Sequence, residues 1–154
     1  MAKYWVIAPA EYSSSGSKAD WYDTCWQYDH ANGVIAIGWN LEEAPESPEH
    51  LRRLWAERAD PAWSERGRRM VERFYFEIED GDFVVARAGL LKYAGLGEFQ
   101  GDAYYEEEAS DQTWGGNLRK VRWQPDRSLR RSPVRFSQPT LYQLSPEKAR
   151  LFNW

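Results

Sequence analysis

Tryptophan and tyrosine are unusually frequent in this sequence, and they limit how the chain can fold. The 154 residues include nine Trp and nine Tyr, and aromatic residues make up 16% of the chain. One core of this size cannot easily bury so many wide rings whose N–H and O–H groups need hydrogen-bond partners. We therefore expect most of the rings in the core and some of them around a surface pocket.

Length and composition predict a single domain over residues 1–154. Hydrophobic residues make up 42% of the chain and charged residues 29%, which is typical of globular proteins. The longest apolar run, residues 33–39, is far too short to cross a bilayer, so no membrane partner is expected. The first residues lack a signal-peptide pattern, and Cys25 is the only cysteine. Together these features predict a cytoplasmic protein without disulfides.

Short β-branched and aromatic runs, separated by turn and cap signals, predict an α+β fold. The predicted strands cover residues 4–8, 34–39, 83–87, 92–105, 118–124 and 140–144. Helices are predicted after Asp20, after Ser47-Pro48, from Asp60-Pro61 and after Ser145-Pro146. Isolated glycines within 92–105 indicate bulges or a sharply curved strand. We expect a small, curved, mostly antiparallel β-barrel flanked by helices.

The charge is unevenly distributed. The net charge of −4 argues against a protein that coats DNA generally. Residues 115–135, however, carry seven Lys or Arg against Asp126 alone, a net charge of +6. This basic strip could follow a phosphate backbone, although a solvated surface without function explains it equally well. Arg119, Lys120 and Arg122 are the candidate phosphate contacts, and strand alternation places Arg119 on the face opposite the other two.

The residue patterns of common enzymes are missing. His30 and His50 are far apart in sequence and Cys25 has no partner, so no metal site is predicted. The chain contains no nucleophile elbow, catalytic triad pattern or phosphate-binding loop. Residues 106–108 are three consecutive glutamates, which point in different directions and indicate a solvated run. We expect no catalytic residues, no cofactor and no metal ion.

Four segments together resemble the EVE-like domains of the PUA-like superfamily. They are Tyr-Trp-Val-Ile at 4–7, Asn-Gly-Val-Ile-Ala-Ile-Gly-Trp at 32–39, Gly-Asp-Phe-Val-Val at 81–85, and Arg-Lys-Val-Arg-Trp at 119–123. They occur in family order and cover most of the chain. The likeness is to the amino-terminal DNA-recognition domain of McrB-type modification-dependent restriction systems.

The resemblance implies a small β-barrel that recognises a methylated or hydroxymethylated base, usually in DNA. Both faces of a base within a duplex are stacked on its neighbours. An aromatic pocket must therefore bind a base that has flipped out of the duplex or that belongs to a single strand. Basic residues would hold the flanking phosphates. The resemblance also implies a restriction or defence role and a fused or associated nuclease or NTPase. An RNA-binding module of the PUA or YTH kind, and a small-molecule or protein-interaction domain, remain as alternatives.

Two departures from the family pattern affect the expected pocket. Residues 7–9 read Ile-Ala-Pro where many relatives have an Arg-Ala-Gly turn, and the loop before Trp21 is longer and serine-rich. We therefore expect the lid of the pocket to differ from that of the family.

The aromatic side chains divide into pocket and core candidates. Trp39 follows Gly38 at the end of a buried strand, which suits a pocket wall or a core position equally. Trp114 precedes two glycines and could act as a wedge that fills the gap left by a flipped base, or could equally be an exposed loop residue. The pocket candidates are Trp21, Trp39, Tyr93, Tyr105 and Trp114. The rings expected in the core are Trp5, Trp26, Trp55, Trp63 and Trp123.

Overall fold

A computed structural model describes all 154 residues and contains one seven-stranded sheet and four α-helices. The strands are β1 (Tyr4–Ile7), β2 (Val34–Ile37), β3 (Phe83–Ala88), β4 (Lys92–Tyr105), β5 (Asn117–Trp123), β6 (Arg130–Arg131) and β7 (Leu141–Leu144). The α-helices are α1 (Ser17–Asn32), α2 (Pro48–Ala56), α3 (Glu65–Glu72) and α4 (Pro146–Ala149). A π-helical segment (Arg73–Glu77) continues α3, and a 3-10 helix (Glu107–Asp111) follows β4. The predicted α+β class is confirmed.

The strands pair in the order β2-β5-β4-β3-β1-β7, and β6 adds to β4. Only β1 and β3 run parallel, so the predicted mostly antiparallel arrangement is confirmed. The edge strands β2 and β7 do not pair with each other, and the sheet is not closed into a barrel. None of the helices combines the length and the hydropathy needed to span a membrane.

Two helices begin at residues other than those predicted. α1 begins at Ser17, upstream of the expected cap Asp20, and ends where Gly33 adopts a left-handed φ of 63°. α3 begins at Glu65 because the Ser64 hydroxyl accepts a hydrogen bond from the Gly67 amide. The predicted start at residues 60–61 instead forms a turn before this helix.

Side chains alternate across the sheet and form a core on each face. The larger cluster lies between the sheet and α1, α2 and α3; its members include Trp5, Ile7, Tyr22, Ile35, Ile37, Leu51, Val71, Phe74, Val84, Phe99 and Val121. The smaller cluster covers the other face of β1 and β3; its members include Val6, Val85, Leu96, Phe136, Leu144 and Phe152. Successive side chains of a strand point to opposite faces, and a cluster covers each face, so both faces of the central strands are buried.

Residues beside the two edge strands of the sheet line one cavity, which indicates that the sheet curls. Gly38 directly follows the edge strand β2, and Thr140 directly precedes the edge strand β7, yet both line the same cavity. The register of β4 against β5 shifts between Gln100 and Tyr104, around Gly101, which has a φ of 75°. Such irregularities bend a strand and increase its twist. The cavity thus lies where the edges approach without pairing.

Candidate functional site

Four tryptophans line an open cavity of about 500 Å³ between the sheet edges. They are Trp21, Trp39, Trp63 and Trp114, and we call this cavity the tryptophan cleft. Its volume falls in the usual range for small-ligand pockets, about 300–1,000 Å³. The structure therefore brings together three of the five aromatic pocket candidates. Trp63 was expected in the core, but it is only partly buried and forms part of this wall.

Trp39 is held in an unusual backbone conformation by several hydrogen bonds. Its φ is 61°, a left-handed value that bulky residues rarely adopt. The Asn117 side-chain amide donates to the Gly38 carbonyl at 2.8 Å and to the Trp39 carbonyl at 2.9 Å. The indole Nε1 of Trp39 donates to the Ala62 carbonyl at 2.8 Å. Such a conformation costs about 1–3 kcal/mol and persists only where the surroundings impose it.

A buried tryptophan and a glycine support Trp39 from behind. Trp55 is 6% exposed, and its ring centroid lies 6.2 Å from that of Trp39 and 4.6 Å from that of Trp63. Its Nε1 donates to the Trp63 carbonyl at 2.8 Å, which fixes the loop that carries Trp63. On α3, a Cβ at Gly67 would lie 2.9 Å from two ring carbons of Trp39. Close packing thus sets the position of this indole.

Trp114 forms the wall next to Gly38 and is anchored to α1. A Cβ at Gly38 would lie 2.9 Å from the indole Nε1 of Trp114, so only glycine allows this approach. The preceding residue, Thr113, donates its hydroxyl to Oδ1 of Asp29 at 2.7 Å. Trp114 is therefore a packed, half-buried wall in this structure rather than an exposed loop residue.

Asp29 lies fully buried beneath this loop. Its second carboxylate oxygen, Oδ2, has no hydrogen-bond partner. Burial raises the pKa of Asp29 well above its ordinary value, while the Thr113 hydroxyl and the Ala36 amide oppose the shift. The carboxyl group acts here as a buried anchor for the cleft loop.

The remaining lining residues give the cleft a polar side. Asn40 accepts a hydrogen bond from the Gly116 amide through Oδ1 at 2.8 Å, which leaves its amide nitrogen to donate to a ligand. Thr140 adds a hydroxyl group beside it. Trp21, on the first turns of α1, is 37% exposed and forms the rim. A flat, polar-edged heterocycle suits this combination of rings and donors.

A second, more polar cavity of about 570 Å³ adjoins the cleft and shares Trp114 and Thr140 with it. The segment that follows β1, where the sequence begins to differ from the family pattern, lines this cavity together with Lys18 and Arg87. Arg87 is 8% exposed and donates to the Gln138 carbonyl at 2.6 Å. Burial lowers the pKa of its guanidinium. The sequence gave no reason to predict Arg87 as a cavity residue, because it lies within the regular strand β3.

Both predicted pocket tyrosines lie elsewhere. Tyr93 is 8% exposed and packs against Phe152 with a centroid separation of 5.1 Å, in the smaller core cluster. Tyr105 packs over Gly116, and its hydroxyl donates to Glu107. Burial raises the pKa of Tyr105 to about 12. Neither ring lines the cleft, so the structure does not bring them to the site.

The basic strip does not present its three predicted phosphate contacts together. Arg119 is 1% exposed, and its guanidinium donates to the Phe74 carbonyl at 2.8 Å. Arg122 forms a salt bridge with Glu98, and Lys120 alone is exposed without such a partner. The reason is that β5 lies between β2 and β4 and its first residues are covered on both faces. A guanidinium buried to this extent cannot contact a phosphate.

No group of three or more His, Cys, Asp or Glu side chains is arranged to hold a metal ion. No curated protein is detectably similar to this chain. No solved structure is detectably similar to it either. A family model described as "Domain of unknown function (DUF8426)" matches residues 12–145, a range that contains all four cleft tryptophans. Because the match spans most of the sequence, this chain belongs to the family described as Domain of unknown function (DUF8426).

Proposed function

We propose that this chain is a nucleic-acid-binding module that receives one extruded base in the tryptophan cleft. The preferred base carries a methyl or hydroxymethyl group and belongs to DNA. The observation that carries the proposal is the wall of four indoles around one open cavity of about 500 Å³. Stacking of a base on an aromatic side chain is worth about 1–3 kcal/mol, and every base has a face that can stack.

The chemistry of the cleft explains how a small modification would be preferred. A duplex base must leave the stack before indoles can cover its faces. One added carbon that is buried against the indoles contributes about 0.8 kcal/mol, which is about a fourfold gain in affinity. Asn40 and Thr140 line the cavity, and we assign the reading of the edge of the base to the Asn40 amide nitrogen and the Thr140 hydroxyl.

The finer fold that we propose is a PUA-like barrel of the EVE type. The curl that places Gly38 and Thr140 in one cavity supports it, since it brings the edge strands toward closure. The Ile-Gly-Trp segment at 37–39, which belongs to the second of the four segments that carry the resemblance, supplies the cleft wall at Trp39. We assign the module a recognition role in a restriction or defence system, with any cleavage supplied by a fused or associated nuclease or NTPase.

The test is a titration with matched oligonucleotides that differ only in one modified base. Single-stranded and duplex DNA and the corresponding RNA are compared at low salt. We expect several-fold tighter binding to the modified DNA. Equal, weak binding to all of them would overturn the proposal, and tighter binding to RNA would reassign the module to RNA.

Removal of one cleft indole tests the stacking role. We expect Trp114→Ala to weaken binding of the modified oligonucleotide by about 5- to 150-fold, the equivalent of one lost stacking contact. The matched control is Trp154→Ala, which removes an indole that packs on Tyr4 and Phe83 and adjoins the smaller core cluster, away from the cleft. Its affinity should stay near that of the wild type once folding has been verified by thermal denaturation.

A further inference from the structure

Three arginines form a row beside the tryptophan cleft, outside the strip that the sequence indicated. Arg66 and Arg69 lie on α3, and Arg73 follows at the start of the π-helical segment. With Pro139, Leu141 and Tyr142 they line a groove of about 300 Å³, which we call the arginine groove. The spacing of three and then four residues places the arginines on one helical face.

The charges in this groove are largely unneutralised. Arg66 and Arg69 are exposed and take part in no salt bridge. Arg73 is half-buried and has only Glu77, at 3.3 Å. The acidic residues of α3 itself, Glu65 and Glu72, are instead bound by Arg68, at 2.5 and 3.0 Å. The helix therefore neutralises its carboxylates on one face and leaves cations on the other.

The arginine groove and the cleft are lined by neighbouring residues of two segments, which form the wall between them. Thr140 lines the cleft, while its neighbours Pro139 and Leu141 line the groove. On the other side, Trp63 belongs to the cleft and Arg66 lies three residues further along the chain. A strand whose base enters the cleft would carry its neighbouring phosphates across this wall.

The length of the row matches a few nucleotides. Arg66 and Arg73 are seven residues apart, which is about 10 Å along a helix. Phosphates of a DNA strand repeat at about 3.4 Å of rise along the duplex axis and lie farther apart along the strand itself, so a row of this length can contact neighbouring phosphates. A protein with a net charge of −4 needs such a local concentration of cations to bind a polyanion.

We infer that Arg66, Arg69 and Arg73 hold the phosphates that flank the base in the cleft. The inference rests on the proposed function for its ligand, nucleic acid. It assigns the phosphate contacts to α3 and the segment that follows it, rather than to β5, where the sequence predicted them. The arginines contribute affinity that is independent of the base, while the indoles contribute the preference among bases.

The experiment measures binding as a function of salt concentration for an Arg66→Gln/Arg69→Gln variant. The matched control is Arg131→Gln/Arg135→Gln, which removes the same charge from exposed arginines outside the groove. The probes are the modified oligonucleotide, its unmodified counterpart and an abasic strand of equal length. We expect the groove variant to weaken all three to a similar degree and to reduce the logarithmic salt slope by about two. The control should leave the slope unchanged.

The outcomes separate this inference from the proposed function. If the groove variant binds like the wild type while modified DNA is still preferred, the arginine assignment is wrong and the proposed function stands. If the abasic strand binds through the groove but the modification changes nothing, the arginine assignment stands and modified-base recognition fails. No binding of any probe by the wild type at low salt overturns both. Equally tight binding of polyglutamate at the same arginines would overturn the assignment to a phosphate backbone.

Discussion

At the scale of single residues, Asp29 departs clearly from its ordinary chemistry. Its side chain is fully buried, and one carboxylate oxygen has no partner. Burial raises its pKa well above the ordinary value, against the opposing effects of the Thr113 hydroxyl and the Ala36 amide. The folded state therefore holds this proton more tightly than the unfolded chain does. The resulting stability is complete below the unfolded pKa of about 3.9 and is lost as the pH rises through the folded pKa.

We predict that Asp29→Asn becomes increasingly stable relative to the wild type as the pH rises. Asparagine keeps an oxygen acceptor for the Thr113 hydroxyl and cannot ionise. Between the two pKa values, the free energy of unfolding of the variant should gain up to about 1.4 kcal/mol per pH unit over the wild type. Denaturant titrations from about pH 5 to about pH 8 measure this difference.

The matched control is Asp23→Asn, an exposed position on the same helix. Its stability relative to the wild type should change little over the same pH range. A difference for Asp29→Asn that does not vary with pH would contradict the buried, proton-binding state of this carboxyl group.

Individual site residues could be predicted where a local signal accompanied them. Trp39 follows Gly38, which packs closely on the Trp114 indole, and Trp114 precedes Gly115, which approaches the backbone of Ile37. Trp63 was missed because the helix was expected to begin before it, whereas it lies in the loop that precedes α3. Arg119 was expected at the surface because alternation along a strand does not reveal that both faces are covered.

At the scale of elements, α3 acts as the support of the cleft, and Gly67 is its closest point of contact. In an ordinary helix interior, replacing glycine by alanine stabilises by about 0.5–1 kcal/mol. Here the added methyl carbon would lie 2.9 Å from ring atoms of Trp39, which is itself tied to the Ala62 carbonyl. The packing therefore reverses the usual preference.

We predict that Gly67→Ala lowers the free energy of unfolding by about 1–3 kcal/mol, the usual cost of overpacking. Denaturant titration gives the value. Adding Trp39→Phe to this variant should restore part of the lost stability, because the smaller ring lacks the atoms that the methyl group meets. An increase in stability for Gly67→Ala alone would show that Trp39 does not pack on α3 as described.

Regular elements with apolar periodicity could be predicted closely, while those defined by tertiary contacts could not. The run of residues 34–39 contains β2, and the glycine-interrupted run of residues 92–105 coincides with β4. β6 consists only of Arg130–Arg131 and pairs with the first residues of β4, so no local sequence pattern predicts it. The π-helical continuation of α3 likewise has no signal in its sequence, Arg-Phe-Tyr-Phe-Glu.

At the scale of the whole molecule, the curl of the sheet creates the site. The cleft collects residues from α1, from the ends of β2 and β7, and from the loops before α3 and β5. The sequence predicted a pocket because it contains more rings than one core can hold. It could not predict which rings meet, since they come from segments far apart in sequence that only the curvature brings together.

The charge pattern of the whole molecule also depends on folding. The strip at 115–135 is the most basic stretch of the sequence, yet it includes the buried Arg119 and the paired Arg122. The groove on α3 contains fewer cations, but Arg66 and Arg69 remain exposed beside the cleft. Exposure and proximity, rather than the density of charge along the chain, determine where a polyanion binds.

The central claim is that the tryptophan cleft distinguishes a modified base from an unmodified one. The direct measurement is the ratio of the two dissociation constants in the wild type, in Trp39→Ala and in the control Trp154→Ala. We predict that the wild type and the control prefer the modified oligonucleotide several-fold, while Trp39→Ala binds both oligonucleotides equally. A wild-type ratio of one, or an unchanged preference in Trp39→Ala, would contradict the account.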